Sequence, residues 1–123
     1  AYLTETAFGL ELTRQGETLL RLDGPGWTAA GYQKMNGRLT AYAVKNGDTA
    51  FFADAGGEAS FTVSGRVRCI TNRYIITEDY RYSGETVDGA YTVYGVYTLG
   101  GECVRPLGLS SWELYTEGYL TDG

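Results

Sequence analysis

Apolar and polar residues alternate along much of the chain, and the alternation is clearest between Ala59 and Thr71. Side chains on a β-strand point alternately to its two faces, so a period of two predicts one buried and one solvated face. Gly65 interrupts the pattern, which indicates a bulge or a bend at that position. The face predicted to be buried carries Phe61, Val63, Gly65, Val67 and Cys69.

The same period recurs in shorter segments nearer the amino terminus. Leucine, alanine or phenylalanine alternates with other residues around positions 8–12, 19–22 and 38–43. A residue on the apolar phase of such a segment is expected to face the core. We therefore predict that eight side chains are mostly buried, namely Phe8, Leu10, Leu20, Leu22, Leu39, Phe61, Val63 and Val67.

Glycine-containing turns separate these segments. Asn36-Gly37 and Asn46-Gly47 are strong hairpin signals, because both central residues of a type I′ turn need positive φ. Short strands with turns between them are typical of antiparallel sandwiches and barrels. The sequence therefore predicts a single all-β domain over residues 1–123, an antiparallel β-sandwich or partly closed barrel. About nine hairpin-connected strands are expected, at 6–13, 17–22, 27–33, 38–44, 49–54, 59–71, 73–82, 89–98 and 109–116.

The segment 109–116 carries two conflicting signals. Trp112, Leu114 and Thr116 alternate as they would on a strand. Ser110 and Glu113, however, have the spacing of a helix capping box, and Gly118 suits the residue after a helix. We predict a strand here, because the rest of the chain has no helical pattern.

The chain contains no histidine, which removes several classes of chemistry. Histidine is the commonest general base in catalysis, so Ser-His-Asp and Cys-His nucleophile systems are excluded, and so are most zinc sites. Carboxylates are plentiful, but Glu78 and Asp79 are adjacent and would face opposite sides of a strand. We therefore predict no enzymatic activity, no cofactor and no metal.

The net charge of −5 also restricts the partners. Nucleic acids and anionic membrane surfaces bind through lysine and arginine, so an acidic chain disfavours both. No apolar run approaches the ~20 residues that cross a bilayer. We predict neither a nucleic-acid partner nor membrane insertion.

Two cysteines, Cys69 and Cys103, leave two interpretations open. A disulfide between them would close a loop of roughly 35 residues and stabilise the fold by ~2–4 kcal/mol. Such a bridge would fit a secreted β-domain. The alternative is a pair of free thiols that pack as small hydrophobic side chains.

Tyrosines are concentrated in the second half of the chain, where six lie within 24 residues. Exposed tyrosine rings can stack on sugars or serve as anchors in protein interfaces. The alternative is that tyrosine is simply a good strand former whose hydroxyl stays hydrated. Trp27 and Trp112 are expected in the core. The predicted binding residues are Tyr74, Tyr80, Tyr82, Tyr94 and Tyr97.

These observations favour a non-catalytic structural or adhesive module. We expect it to act through protein–protein contacts, with a protein partner or by self-association, on a Tyr-rich sheet face. The expected setting is extracellular, or a virion surface. A carbohydrate-binding domain that uses exposed Tyr and Trp rings is the alternative, and a small Asp/Glu-based hydrolase is a third hypothesis.

Overall fold

The computed structural model describes residues 2–6, 9–35, 37–52, 59–82 and 90–120. Within these ranges the chain forms eleven strands and one short helix, and adjacent strands pair in antiparallel fashion. The predicted all-β antiparallel fold is confirmed, while the choice between sandwich and barrel stays a prediction. The chain divides into two compact units, Ala1–Thr62 and Val63–Gly123.

The first unit contains two sheets. A three-stranded sheet has the order β1-β2-β3, with β1 at Tyr2–Thr6, β2 at Gly9–Arg14 and β3 at Glu17–Asp23. A four-stranded sheet has the order β4-β5-β6-β7. Its strands are β4 at Thr28–Met35, β5 at Arg38–Lys45, β6 at Asp48–Phe52 and β7 at Phe61–Val63, and the last residue of β7 is the first of the second unit.

Two-residue turns join several of these strands. Asn46 and Gly47 both have positive φ, as the type I′ turn requires, and Lys45 pairs with Asp48 across that hairpin. Gly37 has a φ of 79° in the hairpin between β4 and β5, while Asn36 lies outside the described residues. The Asn46-Gly47 hairpin is therefore confirmed.

One hydrophobic cluster joins the two sheets of the first unit. Trp27 lies at the edge of this cluster, where its half-buried ring meets Phe52 edge-on at 5.6 Å between centroids, so its predicted core position is met only in part. Leu39 is only half-buried, and Phe8 lies outside the described residues. The buried members are Leu10, Leu12, Leu20, Leu22, Ala41, Ala43, Ala50 and Phe52, which include the predicted inward leucines of β2 and β3.

The second unit is one four-stranded sheet with a helix packed on it. The strand order is β11-β10-β9-β8, and the helix α1 spans Ser111–Thr116. Leu114 of α1 packs with Ile76, Val96 and Leu109 in a buried cluster. The strands are β8 at Arg66–Ile70, β9 at Tyr74–Tyr82, β10 at Ala90–Thr98 and β11 at Cys103–Leu109.

The predicted strand 59–71 is broken at the position of its glycine. Gly65 has a φ of 93°, and a Cβ there would lie 2.9 Å from the carbonyl oxygen of Glu78, so the predicted bend is confirmed. The chain consequently forms β7 and β8 instead of one long strand. Phe61 and Val67, predicted to be mostly buried, are half-buried, whereas Val63 is fully buried.

A second irregularity changes the faces of β8. The register shifts between Val67, which pairs with Thr77, and Cys69, which pairs with Ile76. Because Ile76 and Thr77 are neighbours on β9, their side chains point to opposite faces. The prediction that Val67 and Cys69 share a face was therefore wrong, since a bulge resets the alternation.

The predicted strand 109–116 was also wrong, because the chain turns into α1 after Leu109. The Ser110 hydroxyl accepts a hydrogen bond from the Glu113 N–H, and the Glu113 carboxylate accepts one from the Ser110 N–H. This capping box provides hydrogen-bond partners for the N–H groups of Ser110 and Glu113 at the start of the helix. The strand in this region is β11, a sheet edge that tolerates Pro106.

Candidate functional site

The register of β9 and β10 decides which tyrosines lie together. Tyr94 pairs with Glu78, Thr92 with Tyr80 and Ala90 with Tyr82, with no shift along the pair. Paired residues point to the same face, and so do residues two apart on a strand. Four of the five predicted binding tyrosines therefore share the face on which α1 packs, called the helix-side face here: Tyr74, Tyr80, Tyr82 and Tyr94.

Tyr97 lies on the opposite face and is a core residue. It pairs with Ile75, is only 7% exposed, and its hydroxyl accepts a hydrogen bond from the Ser64 N–H at 3.2 Å. β9 and β10 pair without a register shift, because the irregularities of β10 occur against β11 instead. The prediction that Tyr97 belongs to an exposed binding surface was therefore wrong.

Tyr74 supports the helix and is not available for binding as a free ring. It packs against the cluster under α1 and meets the ring of Tyr119 edge-on at 5.2 Å. Such an arrangement is favourable for two aromatic rings. Tyr74 thus anchors the residues after α1 to the sheet.

The helix is too short to cover the whole helix-side face. Its six residues rise ~9 Å, whereas the nine residues of β9 and of β10 each extend ~30 Å. The far end of β9 is consequently open, with Tyr80 61% and Tyr82 79% exposed. These two predicted residues are accessible.

The helix itself adds two further exposed rings. Only Leu114 of α1 is buried, while Trp112 and Tyr115 are each 73% exposed. The predicted core position of Trp112 was therefore wrong, because on a helix residues 112 and 114 do not share a face. The spacing of three between Trp112 and Tyr115, which places both on one side of a helix, was the signal that could have revealed this pair.

An open groove lies between α1 and the sheet, with a volume of about 390 Å³. Its floor includes Tyr94, a diagonal neighbour of Tyr80 across the β9–β10 pair. We call it the aromatic groove, and it is lined by Arg68, Tyr94, Ser111, Trp112, Leu114, Tyr115 and Leu120.

The groove adjoins the open end of β9, because Tyr94 in its floor and Tyr80 are diagonal neighbours across the β9–β10 pair. Among the described residues, eight large hydrophobic side chains are exposed, and five of them belong to the groove or to the open end of β9. The remaining three are Tyr32, Tyr91 and Val104. We call the five residues the aromatic face, which consists of Tyr80, Tyr82, Trp112, Tyr115 and Leu120.

Ion pairs occur on both faces of the second sheet, and that of Arg81 with Asp79 lies on the face opposite the aromatic face. Arg81 donates to the Asp79 carboxylate at 2.8 Å, and the Tyr80 N–H donates to the same group. These hydrogen bonds lower the pKa of Asp79, with the bond from Arg81 as the larger cause. Glu117 pairs with Arg105 and so links the end of α1 to β11.

Arg68 and Glu78 form a looser pair. Their nitrogen and oxygen are 3.9 Å apart, which is too long for a hydrogen bond. Glu78 pairs in register with Tyr94, whereas Asp79 pairs with Val93, so the adjacent carboxylates do face opposite sides of the sheet as predicted. The carboxylates of Glu78 and Asp79 therefore cannot act together on one substrate.

The two cysteines form no disulfide and lie on opposite edges of the second sheet. Cys69 lies on β8 and Cys103 on β11, with β9 and β10 between them. Three strand spacings of ~4.8 Å separate their backbones by about 14 Å. A disulfide needs Cα atoms within about 7 Å. The interpretation as a disulfide was therefore wrong. The alternative, packing as small hydrophobic side chains, holds only in part, because Cys69 is half-buried against the cluster under α1 whereas Cys103 is exposed.

The described part of the chain shows neither a metal-binding cluster nor a membrane-spanning helix. There, no group of three or more Cys, Asp and Glu residues is arranged to hold a metal ion. No helix in the same ranges is long and apolar enough to cross a bilayer.

Neither protein-family models nor curated proteins nor solved structures give a match to this chain. The assignment of function therefore depends on the geometry and chemistry of the aromatic face.

Proposed function

We propose that the protein is a non-catalytic structural module that self-associates, with the aromatic faces of two copies in contact. The observation that carries this proposal is the concentration of five of the eight exposed large hydrophobic side chains on one face. Scattered exposed apolar residues are normal on a protein surface, but a contiguous patch marks an interaction site.

The size of the aromatic face is sufficient for a weak dimer. At ~200 Å² for each large side chain, the exposed fractions of the five residues correspond to about 650 Å² on one copy. Two such faces in contact would bury about 1,300 Å², just above the ~1,200 Å² at which specific interfaces begin. Self-association through this face is therefore expected to be reversible.

The composition of the face also resembles that of protein interfaces. Tryptophan, tyrosine and arginine dominate the binding energy at such interfaces, and the face contributes three tyrosines, Trp112 and the neighbouring Arg68. Because a tyrosine ring has only two side-chain torsions, it gives contact area with little loss of conformational entropy. A contact of this kind requires no titrating group near neutral pH, which fits a chain without histidine.

The setting that we propose is an extracellular or virion-type assembly. Because Cys69 and Cys103 form no disulfide, they give no argument for an oxidising compartment. The location is therefore supported only by the all-β architecture and by the exposed aromatic face.

Sedimentation velocity over a range of protein concentrations tests self-association. The weight-average sedimentation coefficient should rise with concentration, and Trp112→Ala or Tyr82→Ala should weaken the dimer by about tenfold or more. Tyr91→Ala is the matched control, because Tyr91 is 53% exposed but lies on the other face of the same sheet. A monomer at every concentration, or an equal effect of Tyr91→Ala, would refute the proposal.

A further inference from the structure

We infer that the aromatic groove binds an acidic sugar, a pyranose-type ring that carries one carboxylate, with Arg68 as the residue that recognises the charge. This inference goes beyond self-association, because it concerns a small ligand and the groove alone. Of the carbohydrates that exposed Tyr and Trp rings could bind, only the acidic sugars are proposed as ligands of this groove.

The shape of the groove fits a ligand of one or two rings. Its volume of about 390 Å³ lies at the lower end of the ~300–1,000 Å³ that small-molecule sites have. Aromatic walls come from two elements, with Tyr94 on the sheet and Trp112 and Tyr115 on α1. The C–H face of a sugar ring packs on such rings, while the ring hydroxyls reach the polar edge formed by Ser111.

Arg68 supplies the charge selectivity. Among the described residues that line the groove it is the single charged side chain, and it is 56% exposed. At 3.9 Å, Glu78 balances its charge without taking a direct hydrogen bond from it. The planar guanidinium can therefore donate two parallel hydrogen bonds to an incoming carboxylate.

The rest of the charge distribution limits the ligand to a single acidic group. The chain has a net charge of −5, and Glu113 and Glu117 lie on or next to α1. A highly sulfated or polyuronic chain would meet this negative field along most of its length. In a sugar that is neutral apart from one carboxylate, the only negative group can lie against Arg68, and the rest of the ligand is not repelled.

Ligand binding and self-association would compete for the same side chains. Trp112 and Tyr115 belong to both the aromatic groove and the aromatic face. A ligand that binds only the monomer shifts the equilibrium toward the monomer by mass action. An acidic sugar should therefore lower the sedimentation coefficient of the concentrated protein.

The inference can be tested by NMR titration of the dilute, monomeric protein with 3′-sialyllactose, with lactose as the neutral counterpart. We expect shifts of the Trp112 side-chain N–H and of the Tyr94 and Tyr115 signals with the acidic sugar, and at least about tenfold weaker binding of lactose. A heparin oligosaccharide should bind more weakly than 3′-sialyllactose. Equal binding of the acidic and neutral sugars, or tighter binding of heparin, would overturn the inference.

Variants separate this inference from the proposed function. Arg68→Gln should lower the affinity for 3′-sialyllactose by about tenfold, whereas Arg73→Gln, an exposed arginine outside the groove, should leave it unchanged. If neither sugar binds while Trp112→Ala still abolishes dimers, the ligand site is wrong and self-association stands. If the protein is always monomeric but Arg68→Gln weakens sugar binding, self-association is wrong and the ligand site stands.

Discussion

The helix-side face of the second sheet has a covered end and an open end, although one strand supplies both. At the covered end of β9, Tyr74 and Ile76 pack under α1 and the residues after it. At the open end, Tyr80 and Tyr82 are mostly exposed. The strand alternation is the same at both ends, so the difference comes from the length of the element packed on the sheet. A pattern of alternation therefore defines a face without defining whether that face is covered.

The largest contrast between the two ends should appear in stability. Ile76 is fully buried in the cluster under α1, so Ile76→Ala should lower the free energy of unfolding by about 2–5 kcal/mol. Tyr82→Ala at the open end should change it by less than about 0.5 kcal/mol. Urea denaturation of the two variants measures both values, and similar losses would mean that Tyr82 is packed as Tyr74 is.

The packing of α1 over one end of β9 depends on the capping box of the helix. Ser110→Ala removes the hydroxyl that accepts from the Glu113 N–H, and it should lower the free energy of unfolding by about 1 kcal/mol. Loss of the cap should also loosen the helix over Tyr74, which faster amide hydrogen exchange in Ile76 would reveal. Thr116→Ala, at the other end of α1, is the control. Unchanged exchange in Ser110→Ala would show that tertiary packing alone holds the helix.

On the opposite face of the same sheet, one substitution should raise the free energy of unfolding. The Thr77 hydroxyl is buried, and its oxygen has no hydrogen-bond partner among the described residues. Thr77→Val keeps the shape and removes this unsatisfied group, so the free energy of unfolding should rise by up to about 1 kcal/mol. Thermal unfolding of Thr77→Val and Thr77→Ala distinguishes this effect from loss of packing. A lower melting temperature for Thr77→Val would contradict the expectation.

The smallest expected effect is the response to pH. A hydrogen bond from Thr18 lowers the pKa of Glu11 in the first unit, and the bond from Arg81 lowers that of Asp79 in the second. A carboxylate whose pKa is lowered by folding contributes stability above its ordinary pKa, and this is lost as the pH falls through the folded value. With ordinary values of 4.5 and 3.8, the losses should begin below about pH 4.5.

Stability should also be lost at alkaline pH. Burial raises the pKa of the Tyr42 hydroxyl above its ordinary value of 10.0. Its contribution is therefore present below pH 10.0 and lost as the pH rises through the folded value. Melting temperatures should stay level between about pH 6 and 8, because no histidine titrates there. A sharp transition between about pH 6 and 8 would contradict this expectation, because it would show that a group other than these two carboxylates and Tyr42 controls the pH dependence.

The candidate site could be predicted only in part. Their even spacing on one strand is enough to place Tyr74, Tyr80 and Tyr82 on one face, because side-chain directions on a strand depend on backbone geometry alone. Alternation could not show that Tyr97 is buried, since the tyrosines of β10 recur at a spacing of three and so fall on both faces. The contribution of Trp112 and Tyr115 was missed because the segment was assigned to a strand.

Local sequence signals by themselves determined the all-β class, the Asn46-Gly47 hairpin and the bend at Gly65, because φ preferences and side-chain alternation act over a few neighbouring residues. The tertiary structure alone decided between strand and helix at 110–116, where both signals were present and packing of Leu114 on the sheet favours the helix. It also decided the distance between Cys69 and Cys103, since the order of strands in a sheet depends on contacts between residues far apart in sequence. For the same reason, only the packing of a short helix on a longer sheet created the aromatic groove.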